Sequence, residues 1–162
     1  MGSCSSKVRH PSIPTNIDPK ALPNFIPPIT EGRVIKCYDG DTITIAAFLP
    51  YKASPLYKFS VRLAGIDCPE LRTKDANERL IAIKARDVLI EKILGKMVYL
   101  ENLSTEKYGR VLADVIFEGS SCSQMLLENR LAAPYDGKTK NCPKNWATYH
   151  HFNSQTRVGK TE

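Results

Sequence analysis

Between Arg33 and Phe117 the chain strings together short β-branched and apolar stretches, punctuated by Gly, Pro and Asp, with one long helical stretch among them. That succession restricts the fold more than any other feature. Residues 33–38 and 42–47 read as two strands joined by the tight-turn signal Asp39-Gly40-Asp41. A loop marked by Pro50 and Pro55 leads to a third strand over 57–66, where Val61 and Leu63 share one face and Arg62 takes the other. Residues 75–94 predict a helix, because Ile81, Ala85, Val88, Leu89 and Ile93 recur at helical spacing. Asp75 with Glu78 makes an aspartate version of the capping box, and Gly95 suits the stop. Strands follow over 97–101 and 110–117, then a short helix over 120–130 carrying Met125, Leu126 and Leu127. A last helix over 145–152 turns Trp146 and Tyr149 inward. Five strands with a helix between the third and fourth predict an α+β fold: a five-stranded OB-type Greek-key β-barrel with about three helices.

Hydrophobic residues are 42% and charged residues 25% of the 162, which excludes a disordered or collagen-like chain. No run approaches the ~18 apolar residues of a membrane-spanning helix. The first thirty residues lack the apolar core of a secretory signal. The five cysteines form an odd, scattered set without a C-x-x-C pair, which suits a reducing compartment and gives no zinc signature.

The net charge of +6 sits at the ends. Residues 31–137 hold fifteen basic and fifteen acidic side chains, whereas 138–162 hold five basic to one acidic and 1–30 three to one. Basic ends favour a polyanionic partner, nucleic acid or an anionic membrane face, although solubility alone also accounts for them. The start, Met1-Gly2-Ser3-Cys4-Ser5-Ser6-Lys7, has the N-myristoylation pattern, and Cys4 supplies a palmitoylation candidate for the second signal that stable anchoring needs. An unmodified small-residue leader is the alternative. Six of the eleven prolines lie in 11–28, which predicts an extended arm. The sequence leaves open whether the arm is a free spacer or tucks Phe25, Ile26 and Ile29 into the domain. The expected organisation is a basic, acylated start (1–10), a proline-rich spacer (11–31), the folded domain (32–152) and a basic tail (153–162).

Three polar clusters stand where strands meet loops: Asp39-Gly40-Asp41-Thr42, then Arg62 through Glu70, then Lys107-Tyr108-Gly109-Arg110. Asp41 and Asp67 brought together would repel unless a hard cation such as Ca2+ or Mg2+ lay between them. All three histidines lie near the ends, which disfavours a softer metal. Spacing alone leaves open that Asp39 and Asp41 only form a turn and that Asp67 only caps. Arg62 and Arg110 suit phosphoryl transfer, because a guanidinium grips phosphate oxygens with parallel donors. Surface ion pairs are the alternative for both. Glu70, stiffened by Pro69, suits a base that takes a proton from a metal-bound water, or is simply an exposed glutamate.

These clusters, in this order, resemble the staphylococcal nuclease (thermonuclease) family. The matching pieces are Asp39-Gly40-Asp41-Thr42, Val61-Arg62-Leu63-Ala64-Gly65-Ile66-Asp67-Cys68-Pro69-Glu70 and Lys107-Tyr108-Gly109-Arg110-Val111-Leu112-Ala113. They fall within residues 32–136, close to two-thirds of the chain. The resemblance implies a Ca2+-dependent phosphodiesterase acting on DNA and RNA, with Mg2+ as the alternative ion, that leaves 3′-phosphate ends. By position, Asp41, Asp67 and the backbone carbonyl of Cys68 look like the metal ligands, and Asp39 like an acid behind them. Glu70 is similar to the general base, and Arg62 and Arg110 to the pair that binds the scissile phosphate. Lys107 and Tyr108 look like contacts to the nucleotide's other phosphate or sugar. Tyr135 suits stacking on a base or plain packing. Cys68 stands where the family often has Thr or Ala, and the loop after Glu70 is shorter than in the secreted bacterial enzyme.

The expected function is an endonuclease held by its acyl groups on the cytoplasmic face of a membrane, or cytoplasmic without them, with no obligate protein partner. A catalytically inactive OB-fold module that binds nucleic acid or protein is the alternative. Retention of every expected polar side chain argues against it.

Overall fold

The computed structural model describes residues 11–106, 109–138 and 142–151. Strands β1 (Glu31–Cys37), β2 (Thr42–Phe48) and β3 (Leu56–Leu63) form an antiparallel meander. Two-residue β4 (Ile66–Asp67) precedes helix α1 (Ala76–Ile93), and β5 (Met97–Thr105) and β6 (Val111–Phe117) follow it. Short β7 (Ser120–Ser121), α2 (Cys122–Glu128), β8 (Ala133–Pro134) and α3 (Trp146–His151) complete the order. The strands lie in the order β3-β2-β1-β5-β6-β7, and β6 also pairs in parallel with β3 through Val61↔Val111, Arg62↔Leu112 and Leu63↔Ala113. That pairing closes five strands into a barrel, and with the three helices this is the OB-type α+β fold that the strand order predicts.

Alternation decides which side chains fill the barrel. On β2, Ile43, Ile45 and Ala47 point inward and are buried, and on β3 Val61 and Leu63 do the same. Each fully buried Ile or Leu stabilises the fold by about 2 kcal/mol through transfer from water. Helix α1 covers the barrel with Ile81, Ala82, Ala85, Leu89 and Ile93. Trp146 on α3 is buried in the same core.

Several boundaries differ from the sequence pattern. The third strand stops at Leu63 rather than 66, because Gly65 turns the chain at φ +77°, a conformation that favours glycine. Ile66 and Asp67 leave the barrel and pair with Pro134 and Ala133. The fourth barrel strand runs to Thr105 rather than 101, because an irregularity between Glu101 and Ser104, with Asn102 at φ +52°, breaks the alternation midway. Ser121 caps α2 by accepting from the Gln124 N–H at 3.3 Å, so that helix starts at Cys122. The capping box on α1 is only half formed. Asp75 accepts from the N–H groups of Asn77 and Glu78, but Glu78 does not reach back to the Asp75 N–H. Glu78 accepts instead from the Glu70 N–H at 3.1 Å and the Thr73 hydroxyl at 2.7 Å. In the proline-rich arm Phe25 is 74% exposed and Ile26 is exposed too, while Ile29 is buried in the core.

Candidate active site

The site is assembled at the lip where β2 begins and β3 ends. Asp39 starts the turn by accepting the Asp41 N–H at 3.2 Å. Gly40 is required for space: a Cβ there would lie 2.8 Å from both the Ala85 Cβ and the Cys68 Sγ, so the turn sits pressed against α1. The Asp41 carbonyl accepts from the Leu63 N–H at 2.8 Å, which ties this turn to the end of β3. Asp67 is fixed from the other side by the β4–β8 pair. Both aspartates are buried.

They meet on Arg62, itself buried. Its Nη1 donates to Asp41 Oδ2, and its Nη2 donates to Asp67 Oδ1 at 3.0 Å and to the Ile66 carbonyl at 3.2 Å. Its Nε faces Glu106 Oε1 at 3.1 Å. The Tyr135 ring lies 5.7 Å from this guanidinium, so the tyrosine packs on the arginine. The other oxygen of Glu106 accepts from Arg110, at 2.8 Å from Nε and 2.7 Å from Nη2.

Around them is a cavity of about 700 Å3. Asp39, Cys68, Glu70, Arg110 and Tyr135 line it together with Asp41, Arg62 and Asp67. The structure therefore brings these eight sequence-predicted residues to one place. Glu70 sits on its exposed rim, in the loop that Glu78 anchors. Lys107 and Tyr108, and the lipidation candidates Gly2 and Cys4, lie outside the described residues. Glu106 and Cys142 were not singled out from the sequence as site residues, and Glu78 was read only as part of a helix cap. Cys142 donates its thiol to Asp67 Oδ2 at 3.0 Å. A legible signal for Glu106 was its opposite charge four residues before Arg110, across a turn that Gly109 closes by donating to the Glu106 carbonyl.

The described lining carries six carboxylates, those of Asp39, Asp41, Asp67, Glu70, Glu106 and Asp136, against the cations Arg62, Arg110 and Lys138. Burial, followed by the charge of Asp41, raises the Asp39 pKa to about 6. Burial by itself would lower the Arg62 pKa, but Asp41, Glu106 and Asp67 reverse that, so the guanidinium stays charged. Burial, then the charges of Asp41, Asp39 and Asp67, hold the Cys68 thiol well above its usual value. That thiol is neutral and unreactive near pH 7, which leaves only the main chain of Cys68 for chemistry.

The raised Asp39 pKa has a thermodynamic consequence in metal-free protein. The folded state binds this proton more tightly than the unfolded state, whose aspartate titrates near 3.8. Its contribution to stability is full below about pH 4 and is lost as pH rises through about 6. Asp39→Asn is therefore expected to raise the melting temperature in chelator at pH 7.5, with the gain vanishing below pH 4. A gain that is constant with pH would contradict this origin.

Among the described residues, no three His, Cys, Asp or Glu side chains are arranged to hold a metal ion by themselves. The donor set nonetheless fits a hard ion. Two buried carboxylates lie within reach of one guanidinium, and the lining has no histidine among the described residues.

Comparison with known proteins identifies a family. The profile of the family described as "Staphylococcal nuclease homologue" matches residues 60–161, from within β3 onward. The match contains Arg62, Asp67, Glu70 and Arg110, while β1, β2 and the Asp39–Asp41 turn precede it. A staphylococcal-like nuclease of Arabidopsis thaliana is 29% identical over 102 residues, covering 63% of this chain and 29% of that protein. A probable endonuclease of Eremothecium gossypii is 32% identical over 84 residues, covering 49% of this chain and 30% of its own length. A probable endonuclease of Schizosaccharomyces pombe is 32% identical over 85 residues, covering 48% and 37%. The chain thus spans about a third of the length of the curated relatives it matches. With the barrel, the ordered clusters and a profile match over most of its length, the chain belongs to the staphylococcal nuclease homologue family.

Proposed function

We propose that this cavity is the active site of a divalent-cation-dependent endonuclease that hydrolyses phosphodiester bonds in DNA and RNA. The observation that carries the proposal is the convergence of Asp41 and Asp67, from separate elements, on Arg62, with Arg110 joined to it through Glu106. Family membership and the nuclease names of the relatives support the reaction class.

Asp41, Asp67 and the Cys68 backbone carbonyl would hold Ca2+, with Mg2+ as the smaller alternative. When bound, such an ion supplies Lewis acidity to a phosphate oxygen and to a water. The rest falls to the chain's own side chains. Arg62 and Arg110 oppose the negative charge that spreads over the phosphate oxygens in the transition state. Glu70, on the rim and free of the aspartate cluster's burial, takes the proton of the attacking water. Asp39 supports the turn that presents Asp41. Tyr135 backs the Arg62 guanidinium and holds its plane. Lys107 and Tyr108 contact the flanking phosphate or sugar in this reading.

The direct test incubates circular single-stranded DNA, and RNA, with Ca2+, Mg2+ or chelator. Cutting of the circle with Ca2+ and none in chelator is expected. Undiminished cutting in chelator would refute the cation's role, and no cutting under any condition would favour a binding module.

A membrane tether through acylated Gly2 and Cys4 is the second part of the proposal, supported by the pattern Gly2, Cys4, Ser6 and Lys7. No helix among the described residues is long and apolar enough to cross a membrane. Gly2→Ala is expected to move the protein from the membrane to the soluble fraction, on the cytoplasmic side. An unchanged distribution would rule the acyl anchor out.

A further inference from the structure

We propose that the Glu106 carboxylate occupies the place of the scissile phosphate on Arg62 and Arg110, and that substrate must displace it. The inference rests on the phosphodiesterase reading of the cavity and adds a residue to it. Glu106 presents one oxygen to each arginine: Oε1 lies 3.1 Å from Arg62 Nε, and Oε2 lies 2.8 Å and 2.7 Å from Arg110 Nε and Nη2. The Nε/Nη2 edge is one that a guanidinium uses to grip two oxygens of a phosphate. On Arg110 that edge is taken up by Glu106. A carboxylate that bridges two guanidinium groups, one oxygen apiece, reproduces how two non-bridging oxygens of a phosphodiester would bridge the same pair.

Arg62 is also committed elsewhere. Its Nη1 and Nη2 engage Asp41, Asp67 and the Ile66 carbonyl, so Nε is the edge nearest Arg110's partner. A phosphate that took Nε of Arg62 and the Nε/Nη2 edge of Arg110 would compete with Glu106 for those donors. Two anions cannot occupy one such position without strong repulsion.

The local chain suits an exchange. Glu106 lies just past the last residue of β5, outside the strand ladder. Its main chain stays fixed, because its N–H donates to the Arg110 carbonyl at 3.0 Å and its carbonyl accepts from Gly109 at 3.1 Å. The side chain can therefore rotate away without moving the turn that carries Arg110. Its side chain is already 20% exposed and lies at the cavity, so it has solvent to move into. It pairs two neighbouring cations that would otherwise repel, and it keeps both guanidinium groups oriented. Its price in binding is that phosphate must compete with an intramolecular anion.

The test titrates inorganic phosphate into the full chain in chelator, by calorimetry and by NMR of the arginine Nε–Hε groups. Glu106→Gln keeps the shape and removes the charge. It is expected to bind phosphate about tenfold more tightly than the wild type, as loss of a charged hydrogen-bonded competitor implies. In the wild type, phosphate is expected to shift the Arg62 and Arg110 Nε–Hε signals toward their positions in phosphate-saturated Glu106→Gln. Asp136→Asn controls for the general field, since Asp136 lines the same cavity but accepts from the Lys138 N–H. It is expected to change affinity by less than about twofold. Melting temperatures verify folding, and Glu106→Asp, one methylene shorter, gives a second variant with a smaller gain.

Equal gains for Glu106→Gln and Asp136→Asn would overturn the place-holder and leave only a field effect. Unchanged or weaker binding by Glu106→Gln would overturn it in favour of a fixed frame for the arginines, with the phosphate reading intact. Phosphate binding to neither wild type nor Glu106→Gln would overturn the place-holder, while the cleavage test with Ca2+, Mg2+ and chelator decides the phosphodiesterase reading separately.

Discussion

Glu70→Gln is expected to lower turnover by about 100-fold or more, with KM little changed. Gln preserves the volume of the side chain and leaves the Glu70 N–H free to keep its hydrogen bond to Glu78. The substitution therefore removes the negative charge and the proton acceptor while keeping the side-chain shape. Pro69 and the Glu78 anchor hold the loop in place, so geometry should survive. A drop in kcat at constant KM identifies a group needed only in the transition state. Near-wild-type cleavage by this variant would remove Glu70 from the role of base.

Arg62→Lys is expected to reduce both activity and stability, although the charge is kept. The native guanidinium is planar and serves Asp41, Asp67, Glu106 and a main-chain carbonyl along separate directions. One ammonium nitrogen cannot reach all four. At least one buried carboxylate is then left with a poor partner, and the cost is about 3 kcal/mol. In the reaction the fork that grips phosphate is also lost. Turnover should fall by about 100-fold, in the range for loss of a transition-state donor. Calorimetric melting in chelator reads the stability change, and cleavage rates per folded molecule read the other. Equal rates and equal melting temperatures for Lys and Arg would show that position 62 needs only a positive charge.

The barrel was legible because β-branched alternation survives where strands are regular. β2, with Ile43, Ile45 and Ala47 inward, is the clearest case. The pattern failed where the backbone departs from the ladder. Gly65 was the local sign that β3 ends at Leu63, but Ile66, apolar for a different partner, Pro134, carried the strand pattern past it. The site was legible as separate turns, each with its acid or arginine at a strand end. The meeting of Arg110 with the others was not legible locally, since it depends on the parallel β3–β6 pair that closes the barrel. Glu106 escaped notice for the same reason. Its link to Arg110 is local, but its link to Arg62 crosses the barrel seam. Glu78 was read as a cap from its spacing, whereas the fold turns it toward the Glu70 loop.

The central claim is that Asp41 and Asp67 jointly grip one hard cation beside the arginine pair. Calorimetric titration of Ca2+ into the full chain, with Asp41→Asn and Asp67→Asn measured alongside, tests it without reference to cleavage. One ion per chain in the wild type, and at least about tenfold weaker binding in each single variant, is the predicted result. Wild-type Ca2+ affinity in either variant, or no Ca2+ binding by the wild type, would contradict it.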